Sequence, residues 1–490
     1  MGLVINTTVI SDATYGNITA GGNNDNISAS TVTVNVNASG VTSLTPGLPI
    51  FIVSAGSGSS GATVNVTSNN SLYSFIGSNL NGNITITPTL NPVIPLPPGA
   101  GSVFTALLAI AAANPGSDIA AVVAALTALP TPAAIASALA QLNPNVNGAI
   151  PLMSFNAMKQ FTNVWSKQMG YGRCVYATDC EDECCYREVR RKPKQKECCE
   201  TGCSTEINCE NVCNTFEVWG DVFGYFGHQN RRDGFRGYDS QIYGGMVGFQ
   251  APLSQTSSVG LGGGYANTQI HERNKGSIQT YDLTAYYSYD ATNFFADAAF
   301  SFDVNRYKSS RKIDFPGIDR TANAHYYGQE YTGLVDAGYR YYTSWCGVIT
   351  PFASLMYSYL HVNGYHEHGA SSLDLHEKHQ NYNFLESGLG LKLSQIIQTS
   401  NGVFVPEIHG IWLHDFFRDR MDLTSTFSGV AEEAGSFETE GPSQDRNWGD
   451  VGTGITFITC SNLAFELVYN YQFGKTYHSQ EGLLKITQRF

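Results

Sequence analysis

The feature that most constrains this chain is the alternation that fills residues 215–490. In "LAFELVYNYQF", Leu463, Phe465, Leu467, Tyr469, Tyr471 and Phe473 share one parity, and Ala464, Glu466, Val468, Asn470 and Gln472 take the other. Phe294 to Asn305 and Tyr331 to Tyr342 repeat the pattern: one parity is apolar with aromatics towards its ends, the other mixes small residues with Asp297, Asp303, Asp336 and Arg340. Period-two alternation means strands. It predicts strands near 215–226, 240–251, 257–270, 278–289, 292–305, 329–342, 347–360, 383–395, 402–416, 446–459, 462–474 and 480–490. Many exceed the usual strand length of about 5–6 residues. Every second connection is short ("PLSQT", "DA", "TSWC", "SQIIQT", "CS"), whereas 306–328, 361–382 and 417–445 are long. A soluble sandwich would bury the apolar face against a second sheet. About twelve long strands with short turns at one end and long loops at the other fit a transmembrane β-barrel, with a lipid-facing apolar side and a polar lumen.

Composition agrees. Charged residues are 14% and aromatics 12% of the chain, and 50 residues are glycine. No run of about 18 apolar residues exists to make a transmembrane helix. The net charge of −13 argues against a nucleic-acid partner. "MGLVINTTVI" has neither the basic start nor the apolar core of a signal peptide. A barrel exported across an inner membrane needs one, so a truncated start is expected.

Upstream the composition changes. Residues 1–100 are rich in Asn, Thr, Ser, Gly and Val, and runs such as "STVTVNVNAS" and "NITITPTL" read as short strands joined by polar turns. A β-solenoid-like fragment and a low-complexity linker both remain open. Residues 101–170 turn helical. "SDIAAVVAALTALP" opens on Ser-Asp and stops at Pro, and "TPAAIASALAQLNP" offers Thr131 as N-cap and Pro132 at the first helical position. Beyond it Met158, Phe161, Trp165 and Met169 recur at spacings of three and four, which makes one apolar helical face.

At this point residues 215–490 resemble the C-terminal β-domain of autotransporters, the type V secretion proteins of Gram-negative outer membranes. The similarity lies in "FVPEIHGIWLHDF" with Pro406, Trp412, His414 and Phe416, then Phe437, Gly441, Arg446, Gly452 and Gly454, and the terminal "GLLKITQRF". "LTALPTPAAIASALAQLNP" is similar to the segment preceding such domains. The resemblance implies an all-β, twelve-stranded barrel with a helix through its lumen, preceded by a helical linker (101–170) and an N-terminal passenger (1–100); the cysteine-rich insertion (171–214) departs from the family, which usually has a short link at that place. It implies outer-membrane lipid as surroundings and help from periplasmic chaperones and the assembly machinery; no catalysis and no cofactor are expected, because the residues offer no catalytic motif. That machinery would read the last strand and Phe490. Gln488 departs from the family, where an apolar residue is common. A lumen helix also argues against a plain diffusion porin.

Nine of the eleven cysteines fall within 174–213. Cys174, Cys180, Cys184, Cys185, Cys198, Cys199, Cys203 and Cys209 are mirror-symmetric about Arg191–Lys192, next to Pro193. Folding there would pair each with its mirror in a disulfide-stapled hairpin, although eight cysteines allow 105 connectivities. The rival is a zinc module, disfavoured by the lack of any CxxC and by an oxidising envelope. Cys213, outside the symmetry, is a candidate for crosslinking to itself or other envelope proteins. With a helix threading the lumen, this segment, Cys346 and Cys460 would all be periplasmic. A structural, disulfide-crosslinked envelope protein with little secretion role is therefore the alternative function. The remaining cluster is His361, His366, His368, His376 and His379 in one long loop. Their spacings could ligate a transition metal, but a polar surface loop is preferred. No nucleophile elbow, HExxH or phosphate loop occurs.

Overall fold

The computed structural model describes residues 2–19, 29–38, 41, 44, 46–54, 62–80, 83–90, 96–144, 149–169 and 216–490, apart from 273, 292, 344–346, 400–401, 418–421, 429–434, 443–444 and 460. All eleven cysteines, and with them the proposed disulfides, lie outside the described residues.

Twelve antiparallel strands close into a barrel. They are β1 (Glu217–Gln229), β2 (Tyr238–Pro252), β3 (Ser257–His271), β4 (Lys275–Asp290), β5 (Phe294–Phe315) and β6 (Ile318–Tyr339). Then follow β7 (Gly347–Val362), β8 (Gln380–Gln395), β9 (Gly402–Asp415), β10 (Asn447–Thr459), β11 (Leu463–Phe473) and β12 (Tyr477–Arg489). Each pairs with its chain neighbour, and β12 closes on β1 from Tyr477↔Gln229 to Arg489↔Glu217. Closure removes the edges that an open sheet would expose. The last strand therefore ends where its partner begins: the Phe490 amide donates to the Phe216 carbonyl at 2.9 Å, and their rings lie 6.1 Å apart.

The outward face is apolar around the barrel. Val222, Val247, Leu283, Phe300, Val335, Leu389, Ile408 and Leu467 are all exposed. Aromatic rings border this band, with Tyr289, Phe294, Tyr339 and Phe490 at the end of the short turns and Phe226, Tyr243, Tyr265 and Tyr281 at the other. An uninterrupted exposed apolar belt between two aromatic rows is the surface a bilayer requires. No described helix is long and apolar enough to cross a membrane.

One expectation is corrected. Residues 306–328 do not form a loop: β5 and β6 run on for 22 residues each as a hairpin and turn at Gly317, whose φ of +88° suits glycine. Beside this hairpin the other two long connections pair as a small sheet of Tyr365–His366, Leu375–Glu377, Leu423–Phe427 and Ser436–Thr439.

Among the described residues, four helices precede the barrel: α1 (Ala100–Ala113), α2 (Asp118–Thr127), α3 (Pro132–Leu142) and α4 (Ala149–Ser166). Thr131 Oγ1 accepts from the Ala134 amide, so the expected N-cap is in place, and Ser117 Oγ of the Ser-Asp start caps the second helix by accepting from the Ala120 amide. The first three helices pack over the hairpin tip and the small sheet. Leu107, Val123, Ile135 and Leu139 share one core with Ile313, Ile318, Leu373 and Phe427. That core continues into the N-terminal region. There, strands Gly2–Ser11, Thr31–Asn37 and Thr63–Ser68 stack in parallel. Equivalent side chains bond between strands: Asn35 Nδ2 donates to Asn6 Oδ1 at 2.9 Å and Thr67 Oγ1 to Asn35 Oδ1 at 2.6 Å.

Candidate functional site

The fourth helix does not join the others. It runs down the barrel lumen, and its sequence explains how a helix can sit inside a polar tube. Met158, Phe161, Trp165 and Met169 are fully buried, as their spacing requires. They meet the one apolar sector of the wall, which includes Trp219, Phe223, Met246 and Tyr286. Phe161 packs edge-on to Phe223 with ring centroids 5.5 Å apart. Gly264 makes this approach possible, since a Cβ there would stand 2.6 Å from Phe161 Cε1.

The opposite face is a line of polar residues four apart, Lys159, Asn163 and Lys167, which helical geometry stacks one above another. Each meets carboxylates on the wall. Lys159 Nζ donates to both oxygens of Glu386 at 2.9 Å, and Asn163 Nδ2 to those of Glu481 at 2.9 and 3.2 Å. Lys167 Nζ lies 2.6 Å from Glu407 and 3.5 Å from Glu466. Lys392 and Lys485 reach the same two glutamates from the wall at 3.8 Å. Below them Gln168 and Arg489 both donate to Glu217 at 3.0 Å, tying the helix end to the seam between β12 and β1. Higher up, Ser154 bonds Tyr307 at 3.0 Å and Asn156 donates to Tyr477 at 3.3 Å. A cavity of about 140 Å³ remains on the polar side of the helix, among Lys159, Asn163, Glu386, His409 and Glu481.

The lumen carboxylates read from sequence do point inward. Asp297 accepts from Ser288 at 2.5 Å, and Asp336 is its register partner on β6. Asp303 stands between Asp282 and Glu330 on the adjoining strands, with Ser301 donating to Asp282. Arg340 sits at the short-turn end and pairs with Asp290 at 2.6 Å. The partners given above for the Lys159–Asn163–Lys167 line are Glu386, Glu481, Glu407 and Glu466, which sequence reading did not select as site residues. A signal was available: a four-residue polar period on the helix and glutamates at inward parity on strands.

The histidines are dispersed. His366 and His376 stack on neighbouring strands of the small sheet with centroids 3.9 Å apart, and His361 faces His379 at 5.9 Å. Among the described residues no three His, Cys, Asp or Glu side chains come together in a way that could hold a metal ion.

A closed twelve-stranded barrel with an apolar belt and a charge-matched helix in its lumen defines an outer-membrane transport barrel whose own chain passes through it. The family model of the autotransporter β-domain matches residues 218–470. Outer membrane protein A of Rickettsia rickettsii is 28% identical over 293 residues, covering 57% of this chain and 13% of that protein. An extracellular serine protease of Serratia marcescens is 23% identical over 285 residues, 56% of this chain and 26% of that one. Among solved structures, the translocator domain of autotransporter NalP from Neisseria meningitidis is 17% identical with a TM-score of 0.47, covering 56% of this chain and 89% of that one. The transport unit of AIDA-I from Escherichia coli is likewise 17% identical with a TM-score of 0.43, covering 58% and 93%. The chain belongs to the autotransporter family, and its barrel is an autotransporter β-domain. It spans only about an eighth of its Rickettsia relative's length. The family favours translocation over the structural crosslinking alternative.

Proposed function

We propose that the barrel delivers residues 1–142 to the cell surface and keeps them there, with α4 left in the lumen as the trailing segment. The observation carrying this reading is the polar line on α4. A helix whose Lys159, Asn163 and Lys167 each have a carboxylate partner on the wall is suited to rest in the lumen. The parallel strands stacked over the long-connection end would be the displayed passenger fragment, and α1–α3 its mount. Transport and display, rather than catalysis, is the role assigned to this chain. The protease activity in the Serratia relative's name belongs to that protein.

On this reading residues 170–215 leave the lumen and return to β1 on the periplasmic side. The eight mirror-related cysteines would oxidise there into a stapled hairpin, with Cys213 free to crosslink to another copy or another envelope protein. Periplasmic chaperones and the outer-membrane assembly machinery are the expected partners of the nascent barrel, with Phe490 as its terminal signal. The histidines of the long loop serve as polar surface. The test is protease treatment of intact cells producing the full chain. The expected result is loss of the N-terminal 142 residues with the barrel intact. Full protection until the outer membrane is permeabilised would overturn the proposal.

A further inference from the structure

The outward face of the barrel carries little charge, and its cations are concentrated in one place. Among the described residues, the lysines and arginines at outward positions of the twelve strands are Lys275, Arg306, Lys308 and Lys312, all on β4 and β5. Lys312 is taken up by Asp319 across the hairpin. The side chains of Lys275, Arg306 and Lys308 are exposed and make no hydrogen bond or ion pair among the described residues. The register brings them together. Ser277 pairs with Lys308, Lys275 with Ser310 and Gln279 with Arg306, so the three cations occupy adjacent and diagonal positions, steps of about 7 Å on one face. Polar, uncharged Ser277, Gln279 and Ser310 lie between them, and His325 and Tyr327 flank them on β6. This clustering runs against the chain's own balance of 28 basic to 41 acidic residues.

Their height on the barrel gives them a meaning. On β5 the apolar outward positions run from Phe294 to Val304. Ten residues at about 3.3 Å each, tilted by about 40°, span about 25 Å, the height of a barrel's apolar band. Arg306 is the next outward residue and Lys308 the one after, directly above the aromatic row of Tyr265 and Tyr281. That is the level of lipid headgroups at the long-connection end. We propose that Lys275, Arg306 and Lys308 form a binding site for the phosphate groups of an anionic, phosphorylated lipid of the surrounding leaflet. The hairpin built by β5 and β6 would stand above the bound headgroup. The site is fixed to the wall, because the three side chains project from paired strands rather than from a loop. It rests on the membrane placement argued above.

The experiment uses the full chain in phosphatidylcholine nanodiscs doped with diphosphorylated lipid A. Lipid A retained per barrel after detergent extraction is counted by native mass spectrometry. The variant Lys275→Gln/Arg306→Gln/Lys308→Gln is compared with wild type and with Lys312→Gln. Heat-modifiable migration of each protein reports that the barrel has formed and inserted. The expected result is a drop on the order of a hundredfold in the triple variant's affinity for lipid A, read as near-complete loss of retained lipid, with Lys312→Gln like wild type and millimolar inorganic phosphate unable to displace the lipid. Equal retention by wild type and the triple variant would overturn the site. Displacement by free phosphate would overturn the assignment to a lipid. A wild-type chain that does not form a heat-modifiable barrel would overturn the membrane placement itself, a failure distinguishable from the other two.

Discussion

The chain packs two helical regions against the same barrel by different means. α1–α3 rest on the long-connection end through an apolar core, and one buried cation fixes them in place. Arg311 forms a bidentate pair with Glu367 (3.1 and 2.5 Å) and donates to the carbonyls of Gln141, Leu142 and Leu373. α4 has one apolar face and one face of successive cation and amide contacts to wall glutamates. The difference follows from the surroundings. Outside the barrel a helix meets side chains free to gather into an ordinary core. Inside, it meets a wall that is apolar on one side and lined with glutamates on the other, so a helix without matching donors would leave carboxylates buried and unpaired. An all-apolar helix could cap this barrel but would be poorly suited to fill it.

This contrast can be broken at stated positions. The largest effect is expected from Lys167→Met, which deprives Glu407 of its 2.6 Å partner and Glu466 of its 3.5 Å one. Lys392 and Lys485 stay 3.8 Å from these glutamates, so the loss should stay below the roughly 3–5 kcal/mol of a fully orphaned buried charge, and the heat-modifiability midpoint in detergent should still fall below that of wild type. Arg311→Met should cost a similar amount locally but spare the barrel. Limited proteolysis should then open α1–α3 while the barrel midpoint stays unchanged; a parallel loss of both would mean the two regions are one cooperative unit.

A third test uses pH. Glu377 is buried in the small sheet beneath the helices, where Ser425 Oγ donates to it at 2.7 and 2.8 Å. Burial raises its carboxyl to about 8, despite the hydrogen bond and Arg311, which both pull it down. The folded state therefore holds a proton that the unfolded state releases near pH 4.5. Stability of this region is greatest below that value and declines as pH rises towards about 8. Glu377→Gln should flatten the decline, read as protease resistance of α1–α3 from pH 5 to 8.5; an unchanged profile would assign it to other groups. The smallest effect on the folded molecule is expected at the terminus. Phe490→Ser removes only a rim contact to Phe216, yet should lower membrane levels more than Gln488→Tyr, measured by quantitative blotting of outer membranes.

Much of this was legible in the chain. Alternation and connection lengths placed all twelve barrel strands, because each must present an apolar parity to lipid. The Ser-Asp start at Ser117 and the cap at Thr131 were readable because the donors they satisfy are local. The upper half of the β5–β6 hairpin was not, since from Arg306 to Asn323 the outward parity is polar and stands above the apolar band, so the hydrocarbon-facing signal ends although the ladder continues. Lys159, Asn163 and Lys167 were missed for a related reason. A polar line on a helix ordinarily faces water, and only the register of β8, β9 and β12 puts Glu386, Glu407 and Glu481 opposite it. The parallel strands of the N-terminal region repeat at spacings of 29 and then 32 residues, from Gly2 to Thr31 to Thr63, too irregular to stand out in a polar, low-complexity stretch.

The central claim is that α4 occupies the lumen with its polar line against the glutamate-bearing strands. Site-specific photo-crosslinking from position 163, with a benzophenone amino acid in place of Asn163, tests it in outer membranes of cells producing the full chain. The result expected is an intramolecular crosslink to the β11–β12 peptides that carry Asn470 and Glu481. Crosslinks only to lipid, to other proteins or to residues 1–142 would contradict it.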